Sequence, residues 1–320
     1  MNVAFEYSVV IRTLGTSGEK YVRLIKSIEN QTIRPKEVLI VLPYEFTLPH
    51  ILRDDQRVIF TQKGMVNQRQ VGIEEAVSQF LLIVDDDIAF EKNFVEELFK
   101  KMLSCDADAI SPNGSIDTNK KLYGVSYWKY FLLGQRRYSR KISPYYLRVS
   151  RTGGTIVNIR MKEGDLHWCQ TANFQCFFIK RNAAVNVHFE NEKWLEDTGY
   201  ALPDDQVFFY KLYLNGGKIL FAPEIRYTHL DAKSGNIKSD KLYKDYYTAQ
   251  RNYTIFWCRF LYAKAKTNNE KLLLSLCLLY RMFVQTMFFF AKCIIKGRFE
   301  FIPKWYKGYK DAFIFNKTYT

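Results

Sequence analysis

The chain has 320 residues, 48% of them apolar and 25% charged, which excludes a disordered tail and a small disulfide-stapled scaffold. One or two domains with real cores are expected at this length. Forty-seven basic residues against 33 acidic ones give a net charge of +14, which favours an anionic partner: a nucleotide, a nucleic acid or an anionic membrane face.

The six cysteines, at 105, 169, 176, 258, 277 and 293, include no CxxC pair, so they read as reduced, mostly structural thiols in a cytosolic setting. The first residues lack a basic segment followed by an apolar one and a cleavage site, so secretion is not expected.

Residues 7–11 are an apolar, β-branched run and predict the first strand. A Gly15-Thr16-Ser17-Gly18 turn leads to a helix with Tyr21, Leu24, Ile25 and Ile28 on one face, capped by Ser17 or Thr16. Residues 37–42 predict a second buried strand, closed by Pro43, and residues 57–61 a third. A helix over 67–79 follows, with Ile73, Ala76, Val77 and Phe80 on one face.

The stretch from Leu81 to Asp87 is an apolar run that ends in three carboxylates. Four apolar residues without alternation suit a strand covered on both faces. In an open α/β sheet, ligands bind at the carboxyl ends of strands. Asp85 and Asp87 lie two apart and would share a face if the segment stayed extended. Two hard oxygen donors there suit Mg2+ or Mn2+ and, through the cation, a diphosphate. The bland alternative is a solvated acidic turn. Phe94, Leu98 and Met102 then mark another helix. This order of elements argues a mostly parallel sheet flanked by helices.

Residues 111–165 are punctuated by Gly, Pro, Asn and Ser and carry a basic cluster, Arg136, Arg137, Arg140 and Lys141, read as a solvated loop before phosphate or membrane contact. The Arg151–Gly154 stretch reads as a turn. Residues 171–180 end in an aromatic strand with Cys176 in the core. His167 and His188 are read as structural.

Asp204 and Asp205 precede an apolar helix that stops at Gly216-Gly217. Carboxylates at a helix N-terminus are favoured as anions by the backbone dipole, and a general base must be ionised. Glu196 and Asp197 read as surface acids.

Residues 272–295 are strongly apolar, but Arg281, Gln285 and Lys292 interrupt them. They predict an amphipathic or core-packing helix, not a span. The tail after it mixes Lys296, Arg298, Lys304, Lys307 and Lys310 with Phe299, Phe301, Trp305, Tyr306 and Tyr309, which suits an anionic membrane interface. No nucleic-acid motif accompanies it.

Four pieces of this sequence resemble the family 2 glycosyltransferases in the order that family has them. They are the strand ending at Arg12-Thr13; Ser27-Ile28, Gln31 and Pro35 before the strand at 37–41; the helix start at 67–76 with Arg69; and the acidic strand end at 81–87. The resemblance, over roughly residues 5–260, implies a GT-A (Rossmann-like) mixed, mostly parallel sheet for residues 1–262, with residues 263–320 as a helical, basic-aromatic extension.

The resemblance further implies transfer of a sugar, with inversion, from a nucleotide-sugar donor to a hydroxyl of a glycan acceptor. Arg12, Thr13, Arg69, Asp85 and Asp86 would bind the donor. Asp85, Asp87 and His229 would hold Mg2+ or Mn2+, and Asp205, preceded by Asp204, would be the base. Tyr246-Tyr247 and Arg251-Asn252 resemble a helix following the family's catalytic domain, where Arg251 faces diphosphate or pairs with a core carboxylate.

The QxxRW signature of the family's processive synthases is absent, which implies addition of one sugar. The family's Asp after the second strand is also missing; Leu42-Pro43-Tyr44-Glu45 stands there, with Glu45 as substitute or Tyr44 as a stacking ring. The tail adds the expectation of a lipid-linked acceptor and peripheral contact with the inner face of the cell membrane. The alternatives are a silent glycan- or nucleotide-binding relative and a sugar-1-phosphate nucleotidylyltransferase.

Overall fold

The computed structural model describes residues 5–48, 52–114, 128, 132–133, 143–158, 164–230 and 239–318, with the backbone alone for 239–245. The Arg136–Lys141 cluster lies outside the described residues. The strands are β1 (Tyr7–Arg12), β2 (Glu37–Pro43), β3 (Gln56–Thr61), β4 (Phe80–Asp85), β5 (Ile88–Phe90), β6 (Ala109–Asn113), β7 (Leu147–Val149), β8 (Thr155–Val157), β9 (His167–Cys169), β10 (Cys176–Lys180) and β11 (Ile219–His229). The helices are α1 (Glu19–Glu29), α2 (Met65–Glu75), α3 (Phe94–Cys105), α4 (Arg181–Val185), α5 (Asp204–Leu214), α6 (Ser239–Trp257), α7 (Asn268–Lys296) and α8 (Ile302–Thr318).

The chain divides into two compact units, Met1–Ile116 with Leu166–Ser234, and Asp117–Asp165 with Gly235–Thr320. The sequence reading drew its boundary at residue 262; α6 and the β7–β8 hairpin fall in the second compact unit.

In the first unit the strand order is β3-β2-β1-β4-β10-β6-β11-β9, with β5 paired to the far end of β11. β3, β2, β1 and β4 run parallel to one another, and β6 runs parallel to β11. β10 runs antiparallel between β4 and β6. The expected mixed, mostly parallel sheet flanked by helices is what forms.

β1 and β4 are buried along both faces until their last residues, which is why they lack a polar-apolar alternation. One core layer joins Tyr7, Ile11, Leu82 and Phe178 of the sheet to Leu24 and Ile28 of α1 and Phe94 and Leu98 of α3. Each such side chain contributes about 1.5–3 kcal/mol by leaving water.

Two local expectations need correction. The N-cap of α1 is Gly18, at φ +55°, with no side-chain cap from Ser17 or Thr16. The second helix is Met65–Glu75, not 67–79: Ala76 already has extended geometry, Val77 is exposed, and Phe80 opens β4. The apolar spacing that extended the helix belongs to the connection and the next strand. α2 in fact buries polar side chains, Gln68, Arg69 and Gln70. Gly72 lets it approach the sheet, since a Cβ there would come within 2.3 Å of Val10.

In the second unit, Gly153 at φ +79° and two backbone bonds between Ser150 and the Gly153-Gly154 pair close the β7–β8 hairpin, so this stretch is a turn. Arg251 is buried and donates to Asn252 Oδ1 at 2.8 Å. Gly308 of α8 lies on α6, where a Cβ would meet Tyr247 O at 2.7 Å.

α7 buries a stripe containing Leu274, Leu278, Arg281, Val284, Phe289 and Cys293. Its other face exposes Leu272, Leu276, Leu279, Phe283 and Ile294. The predicted amphipathic helix therefore has an apolar outer face. Trp305, Tyr309 and Phe301, read as interfacial rings, pack on Phe289 and Cys293 instead, with Trp305 stacked 4.1 Å from Phe289. Phe299 and Tyr306 stay exposed.

Candidate active site

The parallel register of β1 and β4 puts Arg12 beside Asp85 at the carboxyl ends of both strands. Arg12 donates through Nε and Nη2 to Asp85 Oδ1, at 3.1 and 2.9 Å. Burial alone would lower the Arg12 pKa, but Asp85, with Asp204 and Asp86, outweighs it and raises it. One residue on, Thr13 donates its hydroxyl to Asp86 Oδ2 at 2.5 Å and accepts from Gly15 N at 2.8 Å.

Arg69 comes from α2 and is 2% exposed, so its charge has to be met inside the protein. Its Nη2 donates to Asp85 Oδ1 at 3.2 Å and its Nη1 to Asp204 Oδ2. The guanidinium lies 4.0 Å from the Phe174 ring centroid, a cation–π contact. Phe174 itself packs on Phe177, Phe208 and Phe209. Gln68 of the same helix ties the strand ends together, donating to Thr13 O at 3.0 Å and Val41 O at 2.9 Å.

α2 has no capping side chain of its own. Glu196, distant in sequence, supplies one: its Oε1 accepts from Val66 N at 2.6 Å and Asn67 N at 3.2 Å. Gly64 leaves the space, since a Cβ there would lie 2.4 Å from that oxygen. Glu196, read as a surface acid, is thus a cap for the helix that carries Arg69. Burial pushes its carboxyl pKa up against the two backbone donors.

Asp205 accepts from Gln206 N at 2.7 Å in the first turn of α5. Its pKa nevertheless rises to about 7, first through burial and then through the charge of Asp204. The helix terminus was expected to keep this carboxyl ionised. Desolvation and a like charge win over the dipole and leave it poised near neutrality.

A second cluster stands at the β4–β5 turn. Asp87 Oδ2 lies 3.1 Å from His229 Nε2, with side chains 19% and 25% exposed. Gln175 joins them: its Nε2 is 3.4 Å from the same ring nitrogen, and its Oε1 accepts from Tyr227 at 3.0 Å. Gln175 O also accepts from Asp85 N at 2.8 Å. Asp85 closes β4 while Asp86 and Asp87 turn away from the strand, so each of the three carboxylates meets a different partner. The strictly extended geometry that would put Asp85 and Asp87 on one face does not form.

Gln175, Gln68 and Glu196 were not predicted as site residues. No spacing marks them, and only long-range pairing brings them in. His167 packs edge-on to Phe221, and His188 pairs with Glu190 at 3.1 Å. After β2, Tyr44 is 68% exposed and stacked with Phe60 at 6.4 Å.

Among the described residues no group of three His, Cys, Asp or Glu side chains forms a ready metal cage. Asp87 and His229 do make an oxygen-nitrogen pair, partly open, as a divalent cation needs when diphosphate and water complete its shell. The surrounding carboxylates, Asp85, Asp86, Asp204 and Asp205, outnumber Arg12 and Arg69. A diphosphate would meet net negative charge without a cation between. The residues present therefore fit a divalent cation.

This is a mixed α/β sheet carrying acidic and arginine side chains at its strand ends, and the fold is that of the GT-A transferases. S. aureus TarS 1-349 is similar over 95% of this chain and 79% of its own, at 15% identity and a TM-score of 0.53. The same protein in complex with UDP-GlcNAc matches over 96% and 80%, at 16% identity and a TM-score of 0.53. GalNAc-T7 with UDP, GalNAc and Mn2+ scores 0.47 at 16% identity, over 88% of this chain and 55% of that one. No curated protein matches by sequence. Residues 8–162, just under half of the chain, match the model described as Glycosyl transferase family 2, and that part of the chain is a glycosyltransferase domain of the family.

Proposed function

We propose that the enzyme moves one sugar, with inversion, from a nucleotide-sugar donor to a hydroxyl of a lipid-linked glycan acceptor. The observation that carries this is Arg69, which ties the acidic end of β4 to the start of α5. The donor-side carboxylates and the base are thereby held in one network.

In this reading Arg12, Thr13, Asp85 and Asp86 position the nucleotide end of the donor, with Arg69 locking Asp85. Asp87 and His229 would hold Mg2+ or Mn2+; Asp85, which the resemblance adds to that set, is tied to Arg12 and Arg69. The cation, when bound, neutralises the departing diphosphate. Asp205 takes the proton of the acceptor hydroxyl as its oxygen bonds to the anomeric carbon. The bond from that carbon to the diphosphate oxygen breaks on the opposite face, and the electron pair leaves with the nucleoside diphosphate. A base with a pKa near 7 suits this step at neutral pH. Asp204 holds Arg69 and raises the basicity of Asp205.

The lipid-linked acceptor and peripheral contact with the inner face of the cell membrane draw support from the second unit. Residues 263–320 hold eleven Lys and Arg against three acidic residues. α7 is long and apolar enough to cross a membrane, with only 28% of its most apolar window buried. Arg281 near its middle donates to Thr152 O at 2.6 Å, which favours a helix docked on its own unit over one immersed in lipid.

The test is a screen of nucleotide sugars for metal-dependent thermal stabilisation, followed by product analysis with the stabilising donor. Release of nucleoside diphosphate and a glycoside of inverted anomeric configuration is the expected result. Release of pyrophosphate from a nucleoside triphosphate and sugar phosphate would replace this reading with nucleotidyl transfer.

A further inference from the structure

A groove of about 950 Å³ lies within the second unit, between the turn that ends α6, α7 and α8. The turn, Cys258–Tyr262, is a π-helical segment, a feature frequently found at functional sites. The volume is in the range that holds organic ligands. Phe260, Leu278, Leu279, Met282 and Phe313 form its apolar walls. Among the described residues, its charged lining side chains are Arg259, Lys264 and Lys317, and none is acidic.

We infer that this groove seats an acyl chain of an anionic phospholipid, with the headgroup phosphate at Arg259, Lys264 and Lys317. The chemistry of the lining is that of an anionic amphiphile in reverse: hydrocarbon walls beside a cationic rim. The groove also continues a larger surface. Leu279 both lines it and is 61% exposed on the outer face of α7, beside Leu276 and Phe283. A helix apolar on both faces needs a cover on each. The basic excess of residues 263–320 favours an anionic bilayer as that cover over a neutral one. The inference rests on the membrane part of the proposed function and is independent of the transfer chemistry.

The experiment uses the full chain, vesicles of phosphatidylcholine with or without phosphatidylglycerol, and phosphatidylglycerol brominated along its acyl chains. Trp257 lines the groove, so bromine in the chain should quench it. The quenched component is the part that disappears in Trp257→Phe. Quenching should require the anionic lipid, fall several-fold in Ser275→Phe, which fills the groove, and fall about tenfold in Lys264→Glu/Lys317→Glu. Thermal melts check that each variant is folded.

Binding to anionic vesicles with Trp257 unquenched would overturn the groove and leave the membrane reading standing. Absence of vesicle binding, with a dimer in sedimentation, would overturn both and make a second copy the cover. A soluble acceptor analogue assayed in parallel reports transfer separately from either result.

Discussion

Asp85 and Asp204, from β4 and α5, hold opposite ends of the same guanidinium, that of Arg69. Removing that group leaves two carboxylates facing each other in a site closed to most water. Breaking a buried pair from one side costs about 3–5 kcal/mol. Arg69→Met is expected to lose stability of that order in denaturant unfolding and to lose transfer. Arg69→Lys keeps the charge but not the two-ended reach, so it should recover part of the stability and little of the activity.

Asp205→Asn should retain donor binding and lose turnover by about 10²- to 10⁴-fold, the usual contribution of a general base. Wild-type kcat/KM should rise with pH through about 7, as Asp205 ionises. Stability carries the opposite sign. A carboxyl whose folded pKa is raised holds its proton in the native state while the unfolded chain gives it up. Its contribution is therefore full below the unfolded value near 4 and is lost as pH rises towards 7. Unfolding measured across that window should show the decline in the wild type and a flatter profile in Asp205→Asn.

The Asp87–His229 pair should make donor binding depend on a divalent cation. Nucleoside diphosphate is expected to raise the Tm with Mg2+ or Mn2+ present and to lose most of that effect with chelator. Asp87→Asn and His229→Ala should each weaken the metal-dependent part of the shift. An equal shift with and without cation would remove metal from the proposed mechanism.

Glu196 caps α2 across a long sequence separation, so Glu196→Ala should cost about 0.5–2 kcal/mol, the value of an N-cap. Gly64→Ala puts a methyl group against the same carboxylate. The double variant should be less destabilised than the sum of the two singles, because the second change removes what the first collides with. Chemical denaturation of the four proteins in the cycle is the measurement.

Tyr44, exposed and stacked with Phe60, is placed after β2, where the resemblance implies a base-reading Asp and this chain has none. If the ring stacks on the nucleobase, Tyr44→Ala should weaken nucleotide binding by about ten- to a hundred-fold, in line with 1–3 kcal/mol per stacked base. Titration calorimetry with nucleoside diphosphate and ribose diphosphate separates a base contact from a phosphate contact. Loss of affinity for both would place Tyr44 elsewhere in the site.

Residues 7–11, 37–42 and the apolar start of 81–87 read as buried strands in the sequence because each is a short apolar run without alternation. α1 and α3 read as helices because their apolar residues recur at three and four. These are local patterns, and local sterics and burial set them. The places of Asp85, Asp87, Asp204 and Asp205 were legible for a similar reason: each pair interrupts an apolar run at its end.

α2 was misread at its end because its buried residues are polar, so apolar spacing drew the boundary into the next strand. Its polar face makes sense only with β1, β2 and α5 beside it. Glu196 looked like a surface acid for want of the helix end it caps, and Gln175 carries no mark at all. Asp205 had the sign of its pKa shift reversed, since the helix dipole is written in the sequence and burial beside Asp204 is not.

The sequence by itself determined the strands β1, β2 and β4, the helices α1 and α3, and where the acidic strand end and the acidic helix start lie. Tertiary structure alone decided which of those carboxylates share an arginine, which one meets a histidine, and which one is poised near neutral pH. Charge-charge energies and desolvation depend on distances of a few ångströms between residues far apart in the chain. Those distances exist only once the parallel strands are in register and α2 is capped against the sheet.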